Sequence, residues 1–269
     1  MKIIVVGCGW LGQQLLPVLL AEGHQVLATR RSAEALQGFA PEVTSKVLRL
    51  PLQPEDDAAQ RQDFSQAVVI CAITPGWRKQ GGEGYLASLA SLAQLMKQSG
   101  SLACIHFSST GVYQGLAGEV DEQSAIMQDD DKASLLYQGE QILSSMLPTC
   151  TLRLGGLMGP GRHPGNFVRS GLLADPDGPV NMVHSEDVVR AVLLLLQQQH
   201  WPAVFNLCCP DAVSRRQFYQ RARALSGQPV LVEGETSTAA RRVLASAITA
   251  QLGFQYRYSS ALNALTNLA

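Results

Sequence analysis

The sequence predicts an α/β protein: a doubly wound parallel sheet followed by a small C-terminal α/β portion. Three observations predict it. The chain opens with a short apolar run, Ile3–Val6, that passes at once through Gly7, Gly9 and Gly12 into the helical pattern Leu11, Leu15, Leu16, Leu19. Strand-like apolar runs then alternate with helical patterns through the first 155 residues, and such alternation puts helices on both faces of a parallel sheet. After residue 155 the pattern changes to a Gly/Pro-rich loop and shorter elements.

The opening segment is strand, tight turn, helix. Gly7 allows the turn, Gly9 lets a diphosphate approach bare backbone, and Gly12 lets the helix pack close against the strand. Trp10 and Leu11 complete the turn, with Trp10 either covering the phosphates or packing internally. Phosphates would rest on N–H groups at a helix N-terminus, where the macrodipole favours negative charge. This is the arrangement of a Rossmann-type dinucleotide site. Pro17 falls inside the predicted helix, at about 3 kcal/mol in an ordinary helix interior, a cost that tertiary packing can absorb with a kink. Lys2 and the apolar run do not make an export signal. Only seven residues precede Cys8, whereas a signal peptide needs an apolar core of roughly 7–15 residues before its cleavage site.

The remaining strands of the first part are predicted at Gln25–Thr29, Lys46–Leu50, Ala67–Ala72, Ser101–Phe107 and Thr149–Leu154, with helices over 10–22, 32–39, 82–98 and 131–146. Right-handed crossovers would gather the ends of the first, fourth and fifth strands around one crevice. The stretch after Leu50 is a polar, acidic loop or short helix. Beyond the loop that holds Gly155, Gly159, Pro160, Gly161 and Pro164, a short apolar piece (Val180–Val183) leads to a helix over Glu186–Gln199 with Ser185 as N-cap. A strand at Ala203–Leu207 precedes a helix from Arg215 to Leu225, with Ser214 as cap and Gly227 past its end. A short strand, Val230–Val232, and a helix near 239–252 follow. The domain boundary is expected near 155: residues 1–155 as the dinucleotide-binding part, and 156–269 as a smaller part interleaved with the same sheet.

Composition narrows the function. A length of 269 residues with 46% apolar residues supports a substantial core. A net charge of −1 and only 16% charged residues give no reason to expect nucleic acid or an anionic membrane as partner. The longest apolar segment, Val188–Leu196, is interrupted by Arg190 and is too short to span a bilayer. The expected compartment is the cytoplasm. The six cysteines (8, 71, 104, 150, 208 and 209) fall mostly in apolar runs, without C-x-x-C or zinc-like spacing, so a reduced, metal-free protein is expected.

Five ordered segments carry a family likeness: Gly7-Cys-Gly-Trp-Leu-Gly12, His106-Phe-Ser-Ser-Thr-Gly-Val-Tyr113, Leu152-Arg-Leu-Gly-Gly-Leu-Met-Gly-Pro-Gly-Arg162, Val183-His-Ser-Glu-Asp-Val188 and Val204-Phe-Asn-Leu207. Together they resemble the short-chain dehydrogenase/reductase superfamily in its extended, NAD-dependent epimerase/dehydratase branch. The stretch around Gly159-Pro-Gly-Arg-His-Pro-Gly165 is most similar to small bacterial members of the YeeZ type. The likeness spans residues 1 to about 210.

The resemblance implies a nicotinamide dinucleotide, with Ala72 and Ile73 lining it and Pro75-Gly-Trp77 beginning the loop beyond. At the end of the second strand, an acidic residue would bind the ribose hydroxyls of NAD. Here Arg30 and Arg31 stand there and can fork onto a 2′-phosphate, so NADP is favoured over NAD. The family's chemistry uses a Ser or Thr after the fifth strand and a Tyr-x-x-x-Lys on the next helix. By the resemblance Ser109 takes the first position and Tyr137 is the tyrosine candidate, but the lysine position holds Gln141. A neutral amide can bond ribose yet cannot stabilise a phenolate by charge. Lys132 lies five residues before Tyr137, on another helical face, and is not an obvious replacement. Tyr113 shapes the site rather than acting as base.

Arg162, His163, Asn166 and Asn181 lie in or beside the loop where the family's substrate pocket forms. His184 and Asp187 are expected to cap a helix and stitch the two parts of the fold together. Two functions remain open. One is an NADP(H)-dependent oxidoreductase or epimerase acting on a small hydroxyl- or carbonyl-bearing substrate, a sugar nucleotide among the options. The other is a catalytically degenerate dinucleotide-binding sensor or interaction protein, suggested by Gln141 and by the lack of a polar residue at Leu50-Pro-Leu52. Relatives commonly dimerise through a four-helix interface, which leaves a homodimer open, although no diagnostic stripe is found.

Overall fold

The computed structural model describes residues 1–53, 57–76, 82–198, 200–237 and 239–268. Trp77, expected in the loop beyond the fourth strand, and Gln199, expected at a helix end, lie outside the described residues. The first strands are β1 (Lys2–Val6), β2 (Gln25–Arg30), β3 (Thr44–Val47), β4 (Ala67–Cys71) and β5 (Ala103–Ser109). They are followed by β6 (Gly118–Val120), β7 (Thr149–Leu154), β8 (Gly156–Met158), β9 (Leu172–Leu173), β10 (Met182–His184) and β11 (Val204–Leu207). Two short strands, β12 (Val232–Glu233) and β13 (Arg241–Val243), come last. The main helices are α1 (Trp10–Ala21), α2 (Asp57–Phe64), α3 (Tyr85–Ser99), α4 (Asp131–Ser144), α5 (Ser185–Leu196) and α6 (Arg215–Leu225).

Seven strands form one sheet in the order β11-β7-β5-β4-β1-β2-β3. Ile3 to Val6 and Ala67 to Cys71 are all buried, as expected of central parallel strands covered on both faces. β1 pairs with β2 (Ile3 beside Val26) and with β4 (Ile4 beside Val69), both parallel. The strand order reverses between β1 and β4, which is where open α/β sheets leave a crevice for a ligand. This is the doubly wound Rossmann-type fold that the alternation predicts.

The chain divides into two compact units. The first comprises residues 1–112, 131–152 and 197–204, and the second 113–130, 153–196 and 205–269. The first has an apolar cluster that includes Ile4, Val69, Leu89, Leu92, Cys104 and Leu143. The second is built on Met158, Leu173, Phe218, Tyr219, Tyr258 and Leu265. All six cysteines are buried free thiols. Among the described residues no helix is long and apolar enough to cross a membrane.

Several elements differ from expectation. The helix predicted over 32–39 is only a 3-10 turn, Glu34–Leu36, with no buried residue, because so short a segment has no apolar face to anchor it. The helix predicted near 239–252 begins as a strand: Arg241 to Val243 pair in parallel with Gly118 to Val120, and only Ala247–Leu252 is helical. The Gly/Pro loop contains β8, whose Gly156 sits beside Met182 of β10. The third strand lies at Thr44–Val47 rather than Lys46–Leu50. Ser185 is the first residue of α5 rather than its cap. Ser214 does cap α6, in a reciprocal box with Gln217.

His184 and Asp187 act within the second unit. His184 Nδ1 accepts from the Glu186 amide at 3.2 Å at the start of α5, and its Nε2 lies 3.1 Å from the Asn267 carbonyl. Asp187 accepts the amides of Arg257 and Tyr258 at 2.6 and 3.3 Å. Burial pushes its carboxyl up to about 6 against the pull of those bonds. These contacts tie the C-terminal segment down.

One core residue makes the fold sensitive to acid. His106 on β5, opposite Cys71 on β4, is fully buried, and neither ring nitrogen has a hydrogen-bond partner among the described residues. Burial lowers its imidazole to about 4. The unfolded chain protonates this ring near 6.5, so stability is fully present above about 6.5 and declines as pH falls towards the folded value. Urea unfolding at pH 7 and pH 5 checks this: the wild type should lose about 2 kcal/mol more than His106→Leu between the two. An equal loss in both proteins would contradict it.

Candidate functional site

The end of β1 meets the rest of the sheet through backbone alone. Gly7 has φ +73°, and a Cβ there would stand 3.2 Å from the Ala72 carbonyl oxygen and 3.3 Å from the Ile73 nitrogen. A side chain at position 7 would be both strained and crowded. At Gly12 a Cβ would meet Cys8 Sγ at 3.0 Å and Val5 Cγ1 at 3.2 Å, so this glycine sets how closely α1 lies on β1. Gly9 differs from both. The nearest atom to its Cβ position is the Gly7 oxygen at 3.7 Å, so the space above it is open.

Gly9 stands at the N-cap of α1 and brings no side chain to it. The amides of Leu11 and Gly12 have no acceptor among the described residues. Such first-turn amides, at the positive end of the helix dipole, suit an anion. The residues present therefore fit a dinucleotide diphosphate: an open cradle at Gly9, unclosed amides beyond it, and Ala72 and Ile73 against Gly7.

The end of β2 is bonded directly to this turn, with the Cys8 amide donating to the Thr29 carbonyl at 2.9 Å. Arg30 follows. Its guanidinium lies over the Phe39 ring at 5.2 Å, and its buried Nε has no hydrogen-bond partner among the described residues. Burial pushes the Cys8 thiol up to about 11, and the Arg30 charge pulls the other way. Arg30 thus presents a positive charge beside the glycine turn, while Arg31 is exposed. Leu50 and Leu52 pack against the apolar cluster.

At the end of β5 the polar groups are tied to α4. Ser108 Oγ donates to Glu140 Oε1 at 2.6 Å in a buried bond, which fixes how α4 is turned about its axis. Residues 132 and 136 precede Glu140 by two and one turns on the same side. Ser109 Oγ accepts the Gly111 amide at 3.0 Å. The Cβ position of Gly111 lies 3.1 Å from Lys132 Cε, 3.2 Å from Leu136 Cδ1 and 3.3 Å from Ser109 Oγ. The helix thus brings Lys132 and Leu136 to Ser109. Tyr137 is the next residue round, about 100° away. It is half-buried, Gln141 is exposed, and nothing among the described residues hydrogen-bonds the Tyr137 hydroxyl.

Tyr113 belongs to a buried polar set in the second unit. Its hydroxyl donates to Asn206 Oδ1 at 2.9 Å and accepts from Arg153 Nη1 at 2.8 Å, and the Arg153 guanidinium lies 5.1 Å from the ring centroid. Glu122 accepts the Asn206 amide at 2.7 Å. Burial raises the phenol above its ordinary value. Tyr113, Arg153 and Asn206 come from three different family segments, Glu122 from outside them, and the set has the geometry of a brace.

The loop residues expected to meet substrate also lie in the second unit. Arg162 Nε donates to the Leu157 carbonyl at 2.9 Å, with its guanidinium 5.6 Å from the Phe167 ring. His163 Nδ1 accepts the Gly165 amide at 3.0 Å and caps the 3-10 turn Pro164–Asn166. Burial lowers its imidazole below the ordinary value. Asn166 Oδ1 accepts from Gln228 at 3.4 Å. Asn181 uses both ends of its amide on the β13 backbone, donating to the Arg241 carbonyl at 2.9 Å and accepting the Val243 amide at 2.8 Å. Sequence reasoning did not find that role, because its partners lie some sixty residues away. The 132–136–140 spacing on α4 was the available signal for Lys132.

The glycines separate stability from binding. Gly12→Ala should cost about 1–3 kcal/mol in urea unfolding, because Cys8 and Val5 are packed in the core and must shift. Gly9→Ala should stay within about 0.5 kcal/mol of wild type, yet lower dinucleotide affinity in calorimetry about ten-fold or more. A Gly9→Ala protein that binds dinucleotide like wild type would contradict the cradle.

Comparison with known proteins agrees with this geometry. The family described as NAD(P)H-binding matches residues 7–199. Protein YeeZ of Escherichia coli strain K12 is 31% identical over 267 residues, covering 97% of this chain and 97% of that protein. Among solved structures, MoeE5 in complex with UDP-glucuronic acid and NAD superposes with a TM-score of 0.78 at 19% identity, over 100% of this chain and 98% of that one. The UDP-glucuronic acid 4-epimerase from Bacillus cereus in complex with NAD gives a TM-score of 0.78 at 18% identity, over 98% and 96%. These two likenesses show the fold. The chain belongs to the NAD(P)H-binding family, with protein YeeZ as a full-length relative.

Proposed function

We propose that this protein binds NADP(H) on the glycine turn and exchanges hydride with a small hydroxyl- or carbonyl-bearing compound in the cytoplasm. Arg30 is the observation that carries the cofactor choice. It closes β2, its charge reaches the turn, and its buried Nε is left without a partner among the described residues. A 2′-phosphate would give that donor an acceptor, and Arg31 follows it at the surface. Gly7, Gly9, Trp10, Leu11, Gly12, Ala72 and Ile73 would hold the rest of the dinucleotide, within residues 1–155.

A bound reduced nicotinamide would supply the hydride. For the substrate oxygen, Ser109 is the hydroxyl of this reading, and α4 supplies the proton donor. Arg162, His163 and Asn166 are the substrate-side residues in 156–269, while the side-chain amide of Asn181 is spent on the β13 backbone. A sugar nucleotide is one member of this substrate class, supported by the UDP-glucuronic acid bound in MoeE5 and acted on by the Bacillus cereus epimerase.

Two titrations test the proposal. NADPH should bind wild type more tightly than NADH, and Arg30→Asp should lose about 10- to 100-fold in NADPH affinity, since a charge-assisted bond is worth about 1.5–3 kcal/mol. An unchanged preference in Arg30→Asp would overturn the cofactor choice. Mixing the protein with NADPH and a panel of aldehydes, ketones and keto-sugars should give loss of absorbance at the reduced nicotinamide band. Tight binding with no consumption across the panel would favour the sensor reading, which rests on Gln141 in the lysine position and on the lack of a polar residue at Leu50-Pro-Leu52.

A further inference from the structure

The observation that goes furthest beyond this reading is the contact at Gly111. Because position 111 has no side chain, the stem of Lys132, the methyl of Leu136 and the hydroxyl of Ser109 converge on one point, each 3.1–3.3 Å from where a Cβ would stand. The buried Ser108–Glu140 bond at 2.6 Å holds α4 in the rotation that produces this. A residue one position further on, such as Tyr137, is carried about 100° away from it.

We propose that Lys132 is the proton-transfer residue of this site, acting beside Ser109 in place of a tyrosine–lysine pair. The inference rests on the NADP(H) reading above. Its chemistry is self-contained. In water an alkylammonium and a phenol lose their protons at nearly the same pH, about 10.4 and 10, so an amine can donate where a phenol otherwise would. A phenol needs a neighbouring cation to stabilise its anion. An ammonium becomes neutral on donation, so no second cation is required. That accounts for an apolar Leu136 one turn along the same face and for the neutral Gln141.

In the reduction direction, Lys132 Nζ would pass its proton to the carbonyl oxygen, with a bound NADPH supplying hydride to the carbonyl carbon. The lysine would be left as a neutral amine, to be reprotonated from water. Ser109 holds the same oxygen, with its own hydroxyl oxygen anchored by the Gly111 amide. Oxidation runs through the same groups in reverse.

The test uses the full chain. It contains five lysines, so reductive methylation with 13C-formaldehyde gives a readable spectrum, and the resonance lost in Lys132→Arg identifies this residue. Saturating NADP+ should shift that resonance. Adenosine 2′,5′-bisphosphate, which lacks the nicotinamide, should bind and leave it in place. Calorimetric binding of NADP+ without a shift at Lys132, or an equal shift with the bisphosphate, overturns the proposal while leaving the cofactor reading intact. If neither ligand binds, both fall.

On any carbonyl that consumes NADPH, Lys132→Met should lower kcat about 100-fold or more with KM little changed. Lys132→Arg should not rescue it, because an arginine keeps the charge but does not release the proton. On the same carbonyl, Tyr137→Phe should lower kcat much less than Lys132→Met does. Rescue by Lys132→Arg, or loss confined to Tyr137→Phe, overturns the assignment. Thermal unfolding of each variant confirms that the protein compared is folded.

Discussion

The ends of β1 and β4 approach so closely that main chain packs on main chain. The Gly7 Cα lies where any Cβ would touch the Ala72 carbonyl, and the chain turns there with a positive φ. Gly12 then lets α1 settle onto Cys8 and Val5. The Cys8 amide bonds the end of β2, so three strand ends and one helix start are fixed by a turn of six residues. Everything argued about the cofactor follows from that constraint. It leaves the first-turn amides of α1 open and delivers Arg30 beside them.

The end of β5 follows a related logic, with buried polar bonds in place of backbone crowding. An unpaired polar group in a core costs about 1–3 kcal/mol, so the Ser108–Glu140 bond strongly favours one rotation of α4. That rotation decides which side chain reaches Ser109. In the second unit, Arg153, Tyr113, Asn206 and Glu122 satisfy one another and brace the segment that follows Ser109. The motif residues of this protein divide accordingly. Some face an open cradle in the first unit, and others are consumed in bracing the second.

What could be read from the sequence was what rested on local, two-sided burial. The central strands are continuous apolar runs because both faces are covered, and the glycine turn combines a strand, a spacing and a helix within twelve residues. The Ser214–Gln217 capping box is likewise local. The short parallel pairs β6–β13, β8–β10 and β9–β12 were not legible, because each joins segments far apart in the chain and too brief to show a period. Asn181 illustrates the same limit at a single residue, since its amide is engaged by Arg241 and Val243. Lys132 was visible as a residue but not as a neighbour of Ser109, because helical rotation depends on the buried Glu140 bond.

The central claim is that bare amides at the start of α1 grip a dinucleotide diphosphate. Hydrogen–deuterium exchange resolved at the amides of Leu11 and Gly12, with and without saturating NADPH, addresses it most directly. The account predicts slowed exchange at those two positions on binding, beyond any change in the rest of α1. Saturated binding with unaltered exchange there would contradict it.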